Sequence, residues 1–518
     1  MKPDLALEVP PADALGRVHL VGIGGVGMAG VARILLERGA AVSGTDVKDS
    51  AALDALRALG ARVQVGHEAA NVVDADTVVV TSAVRDTNPE LVEARRRGLL
   101  VLHRSQALAA LMRGRRAVAV AGTAGKTTTT AMLTVALQHC GADPSFAIGG
   151  ELTETGVTAR EGSGDVFVAE ADESDGSFLL YRPAVAIVTN VEPDHLDHYG
   201  TAEAVARAFD DFADTIAAGG LLVACADDAG SAALAAHVRR RRPEIEVRSY
   251  GTSPDADVRV VDLDVHGPGA RFCFAAGAGT GAVRLDLRVP GAHNALNAVA
   301  AWTAGVWLGL DPQCLADGLA RFGGTRRRFE IKGEAAGVLV IDDYAHHPTK
   351  VAAVLRAVRG VSGRGRVLAL FQPHLYSRTR FFAPEFGQAL GLADEVVVLD
   401  VYGAREDPEP GVGGELVARA VPLPAAVVAF EPDQAAAVRR LVERAAPGDV
   451  VLTLGAGDVT ALGPVLLARL AERTATAGAG DQDAPQVSGP DSAEPGSVEP
   501  GSAEPGSDEP EPVGERRG

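Results

Sequence analysis

An α/β fold is predicted by three features of this 518-residue chain. Short runs of β-branched and small apolar residues recur, each ending in a glycine-rich or polar cluster and followed by helical apolar spacing. Two of those clusters, Gly22–Gly27 and Gly122–Thr128, are glycine loops placed where a strand meets a helix. From about Ala475 the composition turns to repeated Glu-Pro-Gly-Ser, which has too little apolar surface to offset its chain entropy and predicts a disordered acidic tail. The length sets roughly two to four domains.

The first unit begins with a strand over Arg17–Ile23 and the loop Gly22-Ile23-Gly24-Gly25-Val26-Gly27-Met28-Ala29-Gly30, which contains G-x-G-x-x-G. A helix to about Arg38 and a strand Ala40–Asp46 follow. Asp46 stands nineteen residues beyond Gly27, where the acid of a dinucleotide-binding βαβ unit meets a ribose. Strands at Thr77–Thr81 and Leu99–Leu102 continue the alternation to about Arg113.

The central region opens with a strand, Val118–Ala121, the loop Gly122-Thr123-Ala124-Gly125-Lys126-Thr127-Thr128 and an apolar-periodic helix. The first turn of a helix leaves backbone N–H groups free, and its dipole favours an anion there. Lys126 offers a point charge for outer phosphates and Thr127 a hydroxyl for a phosphate-bound Mg²⁺. The loop is shorter than G-x-x-x-x-G-K-[ST]. An incidental lysine in a tight turn is the bland alternative, in a chain with five lysines against forty-four arginines.

Strand Asp165–Glu170 runs into Glu170-Ala171-Asp172-Glu173-Ser174-Asp175, and strand Ala184–Thr189 into Asn190-Val191-Glu192-Pro193-Asp194-His195-Leu196-Asp197-His198. Parallel strands gather ligands at their carboxyl ends, so both clusters are expected beside the phosphate loop, with Glu170 and His195 as its metal and phosphate partners. The other acids read equally as solvated loop, and H-x-x-H alone does not define a zinc site. Asn294 caps a helix or contacts a base. Arg326, Arg327 and Arg328, at an apparent domain junction, are solvated or supply one phosphate clamp. The last domain alternates strands Gly337–Asp342, Arg366–Phe371, Glu395–Asp400, Ala426–Phe430 and Val450–Leu454 with polar clusters. Its His-Tyr-Arg collection (Asp343, Tyr344, His346, His347, His374, Arg378, Arg380) suits a carboxylate with a free amine nearby.

Charge and cysteine content exclude several classes. A net charge of −19, of which −8 lies in residues 475–518, opposes nucleic-acid and anionic-membrane binding. The acidic start is no signal peptide, and the apolar run 295–310 falls short of a membrane span. Cys140, Cys225, Cys273 and Cys314 form no C-x-x-C pair, so separate structural thiols in a reducing cytoplasm are expected.

Together these motifs resemble the Mur ligase family, in its alanine-adding branch. The matching stretches are 22–30, 81–90 (T-S-A-V-R-D-T-N-P-E), 122–129, 170–178, 189–199, 291–297 (G-A-H-N-A-L-N), 327–330, 342–348 (D-D-Y-A-H-H-P) and 372–380 (Q-P-H-L-Y-S-R-T-R), in the family's order across residues 17–465. The resemblance implies a Rossmann-like UDP-sugar domain (1–113), a P-loop ATPase-like ATP domain (114–328), a Rossmann-like amino-acid domain (329–474) and the tail (475–518). It implies ATP-dependent joining of L-alanine to UDP-N-acetylmuramate in peptidoglycan precursor synthesis, with Mg²⁺ or Mn²⁺, by a monomer or homodimer. Lys126, Glu170, His195 and His346 would be catalytic. Gly122–Thr128, His293, Asn294 and Arg328 would bind ATP, and Thr127, Glu170 and His195 the metal. Gly24, Gly25, Gly27, Met28, Asp46, Ser82, Asp343, His374, Arg378 and Arg380 would bind the other substrates. A tripeptide-recycling relative and an impaired or regulatory homologue are the alternatives within the family. Three residues depart from its pattern: Ala124 stands where this branch usually has His, Leu375 where some members have Arg, and Ala29 where Ser is usual. A nicotinamide oxidoreductase reading of the first loop leaves the lysine loop and the His-rich last domain unexplained.

Overall fold

The computed structural model describes residues 3–480 except 266, 277–281 and 405; side chains are described up to 473, without 197 and 276. Three sheets follow one another along the chain. The first is five-stranded and parallel, in the order Arg62–Val65, Val42–Asp46, Val18–Val21, Thr77–Val80, Leu100–His103. The reversal of strand order at Val18–Val21 opens a crevice over the first glycine loop.

The second sheet has ten strands. Its parallel centre aligns Leu221–Cys225, Val185–Val188, Arg116–Ala121 and Val166–Glu170. These strands read as unbroken apolar runs because both faces are covered. Val118 and Val120 pack on helices Lys126–His139 and Ala292–Trp307, while Ala117, Ala119 and Ala121 face the opposite core. Strands Glu246–Gly251, Val258–Asp264, Ala270–Ala276 and Val283–Leu287 extend one edge, ending in antiparallel pairs that the sequence reading did not anticipate. The third sheet runs Glu330–Ala335, Val338–Asp343, Val450–Leu454, Val367–Phe371, Glu395–Val398, Val428–Phe430, and only its first pair is antiparallel.

One expectation is corrected. Cys140, at the end of helix Lys126–His139, and Cys314, in helix Pro312–Leu319, form a disulfide with Cα atoms 5.8 Å apart, so they are not separate thiols; Cys225 and Cys273 are free. Linear separation hid the pair because helix packing brings it together: a Cβ at Gly318 would lie 2.8 Å from the Cα of Ala136. Helix Leu462–Gly480 is anchored by buried Leu462, Leu466 and Leu470. The rest of the expected tail, 481–518, lies outside the described residues. Among the described residues no helix is long and apolar enough to cross a membrane.

Candidate active site

The loop after strand Arg116–Ala121 is shaped by two left-handed glycines. Gly122 has φ 134°, and a Cβ there would fall 2.1 Å from the hydroxyl of Thr189. Gly125 caps the helix at φ 85°, 2.8 Å from where Asn297 Oδ1 would meet a Cβ. Neither position tolerates a side chain. The next strand end grips the loop between them. Ala124 N donates to Asn190 Oδ1 (2.7 Å), and Ala124 O accepts from Thr189 Oγ1 (2.5 Å). Thr123 Oγ1 exchanges hydrogen bonds with the backbone of Glu192. The Ala124 side chain is half-buried and adds no polar atom.

Lys126 turns into the acids. Its Nζ donates to both Glu173 oxygens (2.9 and 2.6 Å) and to Gly122 O (2.7 Å). Burial favours the neutral amine, but Glu173, Asp172 and Glu170 together outweigh it and raise the lysine pKa. Glu173 is the group the sequence reading left among the undecided acids. The signal that finds it is spatial: it belongs to the same strand end as Glu170, turned to the other side of the lysine.

Two donor sets flank Lys126. On one side Thr127 Oγ1 donates to Glu170 Oε1 (3.1 Å), and Arg328 Nη2 reaches the same hydroxyl at 3.3 Å. On the other, Asp172, Glu173 and His195 offer ligand atoms all within 4.8 Å of one another. Thr127 and Glu170 therefore stand together, and His195 stands with the second set. Carboxylate, hydroxyl and imidazole donors beside a phosphate loop fit Mg²⁺ or Mn²⁺ chemically. Asp172 is held below the usual carboxylate range: burial opposes this, and Lys126, His195 and Arg104 overcome it. His198 packs edge-on against Tyr199, outside this set.

Asp194 joins the central strand ends to the last domain. Its Oδ1 accepts from Arg378 Nη2 at 2.9 Å, with the two side chains 6% and 2% exposed. Its Oδ2 lies 3.7 Å from His195 Nε2 and 3.8 Å from Lys350 Nζ. Burial opposes its ionisation, yet His195, Lys350 and Arg378 hold it far below the ordinary carboxylate range. Arg378 also approaches His374 Nδ1 (3.4 Å), and His374 lies 6.0 Å ring to ring from His346 and stacks on Tyr402. His346 Nδ1 bonds the carbonyl of Tyr344. Burial, then Lys350 and Arg378, hold its pKa well below 6.5, so the ring is neutral at pH 7. His346, His374 and Arg378 thus group together beside Asp194.

Arg380 does not join them. It leaves helix Tyr376–Leu390 on another face, exposed and bonded to Glu409, because residues two apart on a helix diverge. Asp343 is spent on the backbone, accepting from Phe329 N and Ala345 N at 2.7 Å each, and burial lifts its pKa to about 6. Leu375 is buried at φ 70° and makes no polar side-chain contact. Asn294 donates to Pro290 O (2.7 Å) and accepts from Asn297; it does not cap the helix, whose N-cap is Gly291 with no side-chain capping bond. His293 folds against Gly291, and burial lowers its pKa to about 4. The three junction arginines part company: Arg326 pairs with Glu151, Arg327 donates to Gly455 O and Gly457 O, and Arg328 reaches Thr127. Tyr344 lies under both Arg327 and Arg328, 4.7 Å from each guanidinium carbon.

In the first loop, Gly24 N donates to Asp46 Oδ2 at 2.9 Å, which brings the acid beside the glycines. Gly25 is exposed at the helix start, and a Cβ at Gly27 would strike Arg104 Nη1 at 2.6 Å. Met28 instead points into the core, 1% exposed, and offers no side chain to a ligand. Ser82 bridges toward the central acids, near His103 Nε2 (3.1 Å) and donating to Asp175 Oδ2 (3.2 Å). Burial lowers the His103 pKa to about 4, against the pull of Asp175.

Three family models cover this arrangement in sequence: Mur ligase family, catalytic domain (17–116), Mur ligase middle domain (120–305), and Mur ligase, glutamate ligase domain (327–457). The chain belongs to the Mur ligase family. A UDP-N-acetylmuramate–L-alanine ligase of Kineococcus radiotolerans is 64% identical, over 89% of this chain and 97% of that protein. One from Saccharopolyspora erythraea is 57% identical over 91% and 96%. The crystal structure of the UDP-N-acetylmuramate–alanine ligase of Thermotoga maritima superposes with a TM-score of 0.71 at 30% identity, covering 89% of this chain and 99% of that one. Mur ligase architecture accounts for the three sheets in series, each presenting strand ends to a shared cleft.

Proposed function

We propose that this Mur ligase joins L-alanine to the lactyl carboxylate of UDP-N-acetylmuramate, with ATP converted to ADP and phosphate. The observation that carries the reading is the Asp194 junction. It sets Arg378, with His374 and His346 beside it, next to the acids that hold the lysine loop, which would let an amino acid and a nucleotide's outer phosphate meet in one place. High identity to alanine-adding ligases along nearly the whole chain supports the substrate choice.

The loop amides and Lys126 would hold the outer phosphates of ATP, and the first glycine loop with Asp46 the UDP sugar. The carboxylate oxygen attacks the γ-phosphorus, ADP departs and an acyl phosphate forms. The alanine amine, in its unprotonated form, then attacks the acyl carbon, and phosphate leaves through a tetrahedral intermediate. The chain's task is positioning and charge compensation rather than covalent help. Arg378 would receive the alanine carboxylate, and neutral His346 would accept a proton from the attacking amine. Mg²⁺ held by Thr127 with Glu170, and by His195 with Glu173, would spread the charge of the transferred group. Enclosure between sheets protects the acyl phosphate from water.

A coupled ADP-release assay with UDP-N-acetylmuramate and, separately, L-alanine, glycine, L-serine or a muramyl-type tripeptide tests the reading. The expected result is ADP release dependent on both the sugar and L-alanine. Release driven by the tripeptide and not by L-alanine would replace it with the recycling activity.

A further inference from the structure

Lys350 has no role in the scheme above, and its setting is costly. It is the third residue of helix Pro348–Ser362, where the helix dipole disfavours a cation. Its side chain is only 15% exposed. Burial first, and then repulsion from Lys126 and Arg378, lower its pKa to about 8, while Asp194 and Glu173 pull the other way. A short run of contacts ties it to the lysine of the loop: Lys350 Nζ lies 3.8 Å from Asp194, Asp194 3.7 Å from His195 Nε2, His195 3.7 Å from Glu173, and Glu173 2.6 Å from Lys126 Nζ.

Neutralising Asp194 does not explain the arrangement. Arg378 already meets that carboxylate at 2.9 Å, whereas Lys350 stays 3.8 Å from Oδ2 and, among the described residues, its ammonium makes no hydrogen bond. Asp194 Oδ2 is itself buried without a hydrogen-bond partner. The three donors of Lys350 therefore have no protein acceptor among the described residues, on a stem that is largely buried beside Asp194. An anion between two lysines turns their repulsion into shared attraction, and of the anions the proposed reaction brings here the alanine carboxylate falls to Arg378, which leaves the phosphoryl group that Lys126 serves.

Resting on the ligase reading, we infer that Lys350 is a catalytic cation that contacts the phosphoryl group in transit from ATP to the carboxylate. The last domain thereby supplies part of the charge for the first chemical step, in addition to binding the amino acid. Such a contact strengthens as charge moves onto the transferred oxygens, so it acts on kcat more than on binding.

The test compares the native chain with Lys350→Met and Lys350→Arg, each also in an Asp194→Asn background. Removal of the charge is expected to lower kcat about 100-fold, the scale seen for a single preorganised donor, and Lys350→Arg to recover most of it. KM for ATP and for UDP-N-acetylmuramate should stay within about threefold, since ground-state binding is not what is removed. The cost of Lys350→Met should persist in the Asp194→Asn background, where a purely neutralising lysine has nothing left to do and a shared stability loss cancels. A kcat within about threefold of native, or a cost that vanishes with Asp194→Asn, overturns the inference. A native chain without alanine-dependent ADP release would instead overturn the ligase reading, and this inference with it.

Discussion

At Gly22–Gly27 and again at Gly122–Thr128 the chain folds a strand through a glycine loop into a helix, yet the two turns are charged differently. In the first, the helix start is extended (Gly25 φ −65°), an acid from the neighbouring strand accepts Gly24 N, and Arg104 crosses Gly27 from another element. In the second, Gly125 is left-handed, the lysine belongs to the loop itself, and three acids surround it. Both offer free amides to an anion. Only the second brings a charge that can follow a phosphoryl group as it moves, and only the second adjoins donors suited to a divalent cation. Under the proposed function, holding a diphosphate and transferring a phosphate would thus be separated by side-chain charge on a common backbone motif.

Removing that charge is the most severe way to break the contrast. Lys126→Met should lower kcat/KM for ATP by roughly 10³-fold, since one preorganised charge is lost and buried Glu173 is left without its partner. A loss of less than tenfold in the ADP-release assay would mean the two loops are closer in role than their charges suggest. A smaller change sharpens the contrast from within. Ala124 leaves a half-buried position facing the cleft without a polar side chain, while its backbone is fixed by Asn190 and Thr189. Ala124→His is expected to raise the rate of phosphate release about tenfold, the value of one recovered hydrogen bond near the reacting groups, with ATP binding unchanged. Equal rates would show that the amides and Lys126 already suffice. The mildest effect belongs to the first loop. Asp46→Ala removes the acceptor of Gly24 N and should raise KM for UDP-N-acetylmuramate about fivefold while leaving kcat alone. A fall in kcat instead would bring the first loop into the chemistry.

Most of the fold could be read from the chain because strand ends, glycines and helical spacing agree locally. Strand Val450–Leu454 appears as predicted, and Val185–Val188 differs only at its ends. The antiparallel strands at 258–287 were harder. Their alternation is mixed with arginines and aspartates that pair across the exposed face, such as Arg271 with Asp286, so no apolar run announces them. Within the site, residues on the loop itself, Gly122 to Thr127, were legible from spacing alone. Glu173, Asp194 and Lys350 were not, because each gains its significance from a partner 47, 184 or 156 positions away. Arg380 shows the reverse error: it is adjacent in the motif to Arg378, but helix geometry turns it outward to Glu409.

The peptide joining Arg327 to Arg328 works like a crank between two plates. Its left-handed residues Arg327 (φ 61°) and Phe329 (φ 49°) fix a bend that side-chain residues seldom adopt. One crank arm is bolted to the carbonyls of Gly455 and Gly457, the other rests on the hydroxyl of Thr127, and the Cα atoms at their bases are about 3.8 Å apart. A swing of the last sheet about this bend would therefore pull on Thr127 through Arg328. Under the proposed function, opening the amino-acid side would withdraw a guanidinium from the nucleotide side, and one substrate's arrival would be felt by the other through a single turn of backbone.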